Sequence, residues 1–531
     1  MENEKAVKQP SLLLALLPVL LLAGLLYVWI QLLGQDPQIP LVITTIVATF
    51  IATRLGHKWK AIEDRMIATI SLSMQANLIL MTVGILIGAW IVSGTVPTMI
   101  YYGLMIIDPN WFYVAACLIC CLVSVSIGSS WSTAGTVGVA LIGIAYGLGL
   151  SLPIAAGAII SGAYFGDKIA PLSDTTNLAS AMTGVNLFEH IKHIMWTTIP
   201  SLLFALILFT IIGFAGGASG DTSAQIEGIL KVLDSTFVIT PWALIPPIVI
   251  IAIIIIKVPP IPGLYCGIAA ALVVAFLTQA PRYGGDYGEL FASVADTVHY
   301  GYYNEDLDDL AAEEEEYITE AQEALEAAEE AGASGTEIDR LERNLREIEA
   351  NSPYYIVSGL VNGNGGMENM MWTISLILCA MCFGGVMELA GFLKKIAEAL
   401  LKLAKGTGSL ITVSIFSCIF MNIFCADQYL SIVIPGRMYR KEYVKRGIKV
   451  KNLGRCLEDG GTLSSPLIPW NTCGAAMSGF LGVGTLTYLP YAFMNLSAPI
   501  FGMILGFTRF GGSVPMMTEE EKAEAMAKEF D

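Results

Sequence analysis

The chain has 531 residues, of which 55% are hydrophobic and only 14% charged, against about 25% charged in a soluble globular protein. With a mean hydropathy of +0.65, this composition excludes a soluble enzyme, a disordered chain or a nucleic-acid binder and indicates a polytopic protein of the lipid bilayer. The net charge of −17 says little about the cargo, because residues 305–349 hold eighteen Asp or Glu and three Arg, a net of −15.

In chain order, a polar stretch over residues 1–9 precedes an apolar run of about 22 residues. That run is longer than a signal-peptide core and reads as a retained first span. Ordinary spans are expected at about 11–33, 40–54, 66–94, 195–214, 241–257, 262–279, 367–391 and 486–508. Two regions, 151–185 and 453–482, are long enough to cross but are interrupted by Pro, Gly and polar residues. Two more, 111–149 and 409–435, are apolar with polar centres, "GSSWSTAG" (128–135) and "CADQYLS" (425–431).

Cytoplasmic loops are rich in Lys and Arg, and basic residues gather at Lys5/Lys8, Arg54–Arg65, His190–His193, Lys257, Lys394–Lys405 and Arg437–Arg455. The connections at 34–39, 95–110 and 215–240 are poor in them and carry Asp36, Asp108, Asp221 and Asp234. Both basic clusters flanking 409–435 belong on the cytoplasmic side, and that segment is too short for two crossings. It is therefore expected to enter, turn at Asp427 and leave, as a re-entrant hairpin, and 111–149 to do the same from outside. The scheme is ten spans plus two hairpins in an all-α membrane protein, with both termini cytoplasmic in the plasma (inner) membrane.

The two halves then repeat with opposite orientation, starting at residues 11 and 241, and "DKIAPLSDTTN" (167–177) echoes "DGGTLSSPLIPWNT" (459–472). The expected units are 1–239 (first repeat), 240–279 (first two spans of the second), 280–354 (an acidic extracytoplasmic helical hairpin), 355–510 (the remainder) and 511–531 (a cytoplasmic tail). Paired broken helices in inverted repeats are an architecture of secondary transporters.

A carboxylate within the membrane costs roughly 2.5–3.5 kcal/mol on insertion scales and is usually functional. Irregular backbone is tolerated there where it lines a cavity. The break near 173 offers oxygen atoms from Ser173, Asp174, Thr175, Thr176 and Asn177, which suit a hard cation. Asp174 also stands where the returning half-helix needs its N-cap. Asp167 and Lys168 read equally as an ion pair or as part of the site. Asp427, at the second hairpin tip, is expected in the same cavity. Asp459 reads as a cap near the interface, Glu388 as a side chain buried or snorkelling at a helix end, and Ser464–Pro466 and Trp470–Thr472, including Asn471 and Thr472, as uncharged polar contributors. The ten cysteines lie in or beside apolar segments and suggest buried thiols, not a disulfide framework.

"GAYFGDKIAPLSDTTNLA", "ADQYLSIVIPGRMY" and "EDGGTLSSPLIPWNTCGA" resemble the NhaC-type sodium/proton antiporters, which belong to a larger ion-transporter group with inverted repeats and two re-entrant hairpins. The resemblance covers about residues 10–280 and 355–510. It implies Na⁺/H⁺ exchange, which some relatives couple to exchange of hydroxy-acids such as malate and lactate. It also implies functional roles for Asp167, Ser173, Asp174, Thr175, Thr176, Asn177, Asp427 and Asn471. The insertion at 280–354 departs from the family pattern.

The expected mechanism is competition of Na⁺ and H⁺ for one site, with Asp174 and Asp427 as titrating ligands and Thr175 and Asn177 among the Na⁺ ligands. No cofactor is expected, and a homodimer is compatible with these features. One alternative is a Na⁺- or H⁺-coupled carrier of small carboxylates, which would need a cation bound first, because two Asp repel an anion. A remote one is an intramembrane hydrolase, for which no nucleophile–His arrangement exists. Within 305–350, two helices joined by "GASG" (332–335) are expected to meet along Leu307, Leu310, Tyr317, Ala321, Ala324 and Ala328 against Leu341, Leu345 and Ile348.

Overall fold

A computed structural model describes residues 7–215, 223–256 and 258–530; Lys5, Asp221 and Lys257 of the charge pattern lie outside them. All regular elements among the described residues are helices, apart from one isolated bridge between Ile448 and Met516. Among them, eight helices are long and apolar enough to cross a membrane, and ten if each of two bent pairs is one span.

The first half runs α1 (Leu12–Leu26), α2 (Gln38–Leu55), α3 (Trp59–Val92) and the short α4 (Thr95–Ile106). It continues through α5 (Phe112–Ile127), α6 (Ser130–Thr133) and α7 (Val139–Gly147), then α8 (Leu152–Ile169), α9 (Asp174–Thr183) and α10 (Leu187–Ala215). After α11 (Ser223–Thr236) come α12 (Ile245–Ile255) and α13 (Pro260–Thr278), then α14 (Tyr287–Tyr300), α15 (Glu305–Glu330), α16 (Gly335–Ala350) and α17 (Pro353–Val361). The remainder is α18 (Met371–Leu389), α19 (Phe392–Leu401), α20 (Thr407–Cys425), α21 (Gln428–Lys445), α22 (Lys451–Leu457), α23 (Thr472–Leu481), α24 (Thr485–Tyr488), α25 (Phe493–Thr508) and the tail helix α26 (Glu519–Phe530). A long helix, a short helix, a helix pair with a sharp tip, a broken helix and a closing helix thus occur twice, as α3–α10 and α18–α25.

Both breaks have the same cause. Ala170 and Ile468 each precede a proline and are extended, because the following ring disfavours helical backbone before it. Ser173 and Asn471 then cap the next half-helix with their side chains, accepting from the N–H groups of Thr176 and Cys473. Ser173, not Asp174, is therefore the cap of α9, and Asp174 is the first residue of the helix.

Other expectations need correcting. The connection at 215–240 contains α11, amphipathic, with Ile229, Val232 and Leu233 buried and Lys231 paired to Glu227 on the opposite side. It meets the segment beginning at Pro241 at 92°; within the expected span 241–257, a 3₁₀ turn over Pro241–Leu244 leads into an α-helix of 11 residues. Residues 287–300 are not part of the protruding insert: α14 buries Leu290, Val294 and Thr297 and packs along α3. In α15 the buried stripe is Leu307, Ala311, Ile318 and Ala321, while Leu310 and Tyr317 are exposed, because its base packs on α17 as well as on α16. Of the cysteines, Cys266 is exposed and Cys379 and Cys382 are half-buried.

Two packed groups result. In one, α3 lies against α13, α14 and α18, and α2 against α1 and α18. In the other, α5 runs along α8, α10 along α25, α20 along α25 and α21, and α21 against α9. They touch where α18 meets α20 and α3 meets α23, and a cavity lies between them elsewhere.

Candidate ion-binding site

The cavity measures about 1150 Å³ and is walled on one side by α3 and α13 and on the other by the two tips and the first break. Ser129, Ser130, Asp167, Asp174, Thr175, Asp427, Tyr429 and Thr472 line its inner part, and Arg65, Glu388, Lys394 and Arg437 its other end. Arg65 and Glu388 form an ion pair there, joining α3 to α18.

Each tip is held against a break. At the first, the backbone of Gly128 is left-handed, and a side chain on it would lie 2.8 Å from the Leu172 carbonyl carbon. Only glycine permits that approach. Ser130 Oγ donates to Asp167 Oδ2 at 2.7 Å and Ser173 Oγ to Asp167 Oδ1 at 2.8 Å, so Asp167 ties tip to break. At the second tip the Thr472 N–H donates to the Ala426 carbonyl at 2.9 Å. Asp427 caps α21, its Oδ1 accepting from the Leu430 N–H at 2.9 Å. Asn471 Nδ2 donates to Asn422 Oδ1 and O, both at 3.1 Å, and Asn422 Nδ2 donates to the Gly461 carbonyl at 2.6 Å.

The polar row at 173–177 divides its labour. Thr176 Oγ1 donates to the carbonyls of Asp167 and Lys168, at 3.0 and 2.9 Å. Asn177 Nδ2 donates to those of Pro171 and Ser173, at 2.9 and 2.7 Å. These two side chains satisfy carbonyls at the break, three of them, those of Asp167, Lys168 and Pro171, outside the helical ladder, and neither is among the residues lining the cavity. Asp174, exposed to the cavity, and Thr175 remain to face a cargo. The structure thus brings Asp167, Asp174, Thr175, Asp427 and Thr472 to one space, with Ser173 behind them and Thr176, Asn177 and Asn471 as supports. Among the described residues these carboxylates do not close into a group of three that could hold a metal ion.

Lys168 does not pair with its neighbour Asp167. It leaves α8 in a different direction and forms a fully buried ion pair with Asp459, while Thr197 Oγ1 donates to the same carboxylate oxygen at 2.8 Å. Asp459 is therefore no interfacial cap but sits inside a π-helical turn, Glu458–Thr462. His190 and His193 are buried too. Ser130, Asn422 and the Lys168–Asp459 pairing escape a sequence reading; the lone amide of Asn422 within "SIFSCIFMNIFC" was the available signal.

Helices of membrane-spanning length, two of them broken, with carboxylates gathered at the breaks and tips, define a polytopic membrane transporter. Residues 162–285 and 358–510 match the Na⁺/H⁺ antiporter family model. The chain is 35% identical to the Na⁺/H⁺ antiporter NhaC of Alkalihalophilus pseudofirmus over 96% of its length and 97% of that protein's. It is 34% identical to NhaC of Bacillus subtilis (90% and 94% covered). It is also 32% identical to the malate-2H⁺/Na⁺-lactate antiporter of Bacillus subtilis (95% and 96% covered). The chain belongs to the Na⁺/H⁺ antiporter family, and is a transporter and not an enzyme.

Proposed function

We propose that the chain exchanges Na⁺ for H⁺ across the plasma membrane by alternating access, with Asp174 and Asp427 as the ligands over which the two cations compete. The carrying observation is that these carboxylates, from the first break and the second tip, line one cavity between two packed groups of helices. Thr175 and Thr472 add neutral oxygens, and Asp167 organises tip and break. A carboxylate that accepts either Na⁺ or a proton needs no further machinery: acid favours the protonated form, and Na⁺ favours the ionised one. If only the occupied forms change access, exchange is obligatory.

Arg65, Lys394 and Arg437 at the cavity's other end support an opening towards the cytoplasm under the positive-inside rule. Each arm of the second tip has 18 or 19 residues, about 28 Å at 1.5 Å per residue. These arms are long enough for two crossings, so the expected shortness of 409–435 does not hold: α21 continues through its basic residues, and the tip turns at Ala426–Asp427. The basic residues on both sides of the pair alone favour re-entry. We read both helix pairs as re-entrant and the two halves as inverted repeats. Movement of the tip-and-break group against the other then exposes the site alternately.

The test is proton flux in vesicles carrying a pH dye, pulsed with NaCl. Wild-type protein gives Na⁺-dependent flux, and Asp174→Asn abolishes it while inserting normally. Near-normal flux in that variant overturns the site. Pulses of malate and lactate belong to the same experiment, since flux only with one of them shifts the cargo to a small carboxylate.

A further inference from the structure

Behind α8, on the side away from the cavity, polar groups line the seam between α10 and α22. From the outer end inward, Lys451 pairs with Glu189 at 2.8 Å and His193 Nε2 lies 3.2 Å from Asn452 Oδ1. His190 fits against Gly454, where a side chain would come within 2.8 Å of its Nδ1. Deeper lie Glu458, Asp459 and Lys168. Glu458 is fully buried beside the Thr462 hydroxyl of the same turn, yet neither of its oxygens meets hydrogen-bond geometry with any described residue, nor does either ring nitrogen of His190.

The charged and titratable groups around Glu458 are Asp167 and Lys168 from α8, Asp459 beside it and Cys418 from α20. Arg455 lies one turn before it and donates to the Ser513 carbonyl. From α21 and α25 the neighbours of this turn are Ile432, Ser431 and Gly502. The one ammonium within reach, Lys168, is already committed to Asp459. Neither Lys168 nor the buried Arg455 guanidinium forms an ion pair with Glu458 among the described residues, so its carboxyl is buried without a direct counter-charge. Buried polar atoms without partners are rare and call for an explanation, and π-helical turns concentrate at functional sites.

We propose that Glu458 is a second proton-binding group of the exchanger, loaded while the cavity holds no Na⁺ and emptied along the α10–α22 seam when Na⁺ arrives. This rests on the Na⁺ site proposed above. Asp167 lines the cavity, and its neighbour Lys168 reaches the Glu458 turn, so a cation gained on one side of α8 favours an anion on the other. The O–H bond of Glu458 breaks, the electron pair stays on the carboxylate, and the proton leaves past His190 to water at the Glu189–Lys451 end. A narrow seam passes protons and excludes Na⁺, which keeps the two routes apart.

The experiment counts protons released when NaCl, against choline chloride, is added to purified full-length protein in weakly buffered detergent with a pH dye. Glu458→Gln should release one proton fewer per chain at the pH of greatest release, while Na⁺ raises its melting temperature as in wild type. Glu458→Asp should restore the count. Undiminished release from Glu458→Gln overturns the proposal, as does a Gln variant that no longer responds to Na⁺ at all, since the residue then belongs to the cation site. Should the Gln variant not fold, the wild-type infrared difference spectrum decides: no protonated-carboxyl band lost on Na⁺ addition overturns it, and a band that Glu458→Asp shifts supports it. Absence of Na⁺-induced release in wild type sinks the Na⁺ site itself, whereas release lost in Asp174→Asn but intact in Glu458→Gln sinks only this inference.

Discussion

Gly128 and Ala426 hold the same left-handed backbone conformation, at φ 74, ψ 25 and φ 56, ψ 22. Each stands one residue before the cap of a second arm, Ser129 in one tip and Asp427 in the other. The two tips are built alike although they share little sequence, and only one uses glycine where glycine is the comfortable residue.

That difference is testable by exchange. Gly128→Ala adds an unfavourable backbone conformation, about 1 kcal/mol, and a clash with Leu172 and Ser173; a drop in melting temperature and reduced transport are expected. Ala426→Gly removes the same penalty at an entropic cost of similar size, so stability should change by less than about 1 kcal/mol. Equal effects at the two positions would show that the tips are not equivalent.

Asp427 both caps α21 and faces the cavity, and the amide variant separates these roles. Asn caps about as well as Asp, so Asp427→Asn should melt within about 1 kcal/mol of wild type while losing Na⁺-dependent proton flux. Flux near the wild-type rate would leave Asp427 as a cap alone.

Thr175 and Asn177 should respond in opposite ways. Thr175→Ala deletes one oxygen from the cavity wall and should raise the Na⁺ concentration for half-maximal flux several-fold, with little loss of stability. Asn177→Ala removes two hydrogen bonds from break carbonyls, at about 1 kcal/mol each, and should lower the melting temperature first. Thermal melts and Na⁺ titrations on both variants check this.

In intact cells, a thiol reagent that cannot cross membranes should label Ser334→Cys in the α15–α16 turn. It should label Lys445→Cys only after permeabilisation. Labelling of Lys445→Cys in intact cells would overturn the re-entrant reading of α20 and α21.

Replacing residues 305–350 by a short Gly/Ser linker should leave transport measurable, because none of the described residues of that hairpin lines the cavity. Normal insertion with no flux would assign the hairpin to the mechanism.

The breaks and tips were legible in the sequence because their causes are local: a proline after an apolar run, a capping side chain, a polar centre between two greasy arms. What α8 does with adjacent charges was not. Consecutive residues on a helix point about 100° apart, so Asp167 and Lys168 cannot share a direction, and the partner of Lys168 lies 291 residues away. The oxygen-bearing side chains of 173–177 looked interchangeable as ligands, yet Thr176 and Asn177 are spent on backbone carbonyls at the break. Helix α11 was missed because its buried face is three residues wide in a stretch of low average apolarity.

The Lys168–Asp459 pair also sets an order of events in synthesis. Lys168 enters the membrane with the first half of the chain, and its partner is translated 291 residues later, which at 5–20 residues per second takes roughly 15 to 60 s. Throughout that interval the ammonium lacks its native counter-ion, and because burying it unpaired is costly, the Lys168 site cannot reach its final arrangement until the second half arrives. A chain cut between the halves would leave Lys168 without that partner.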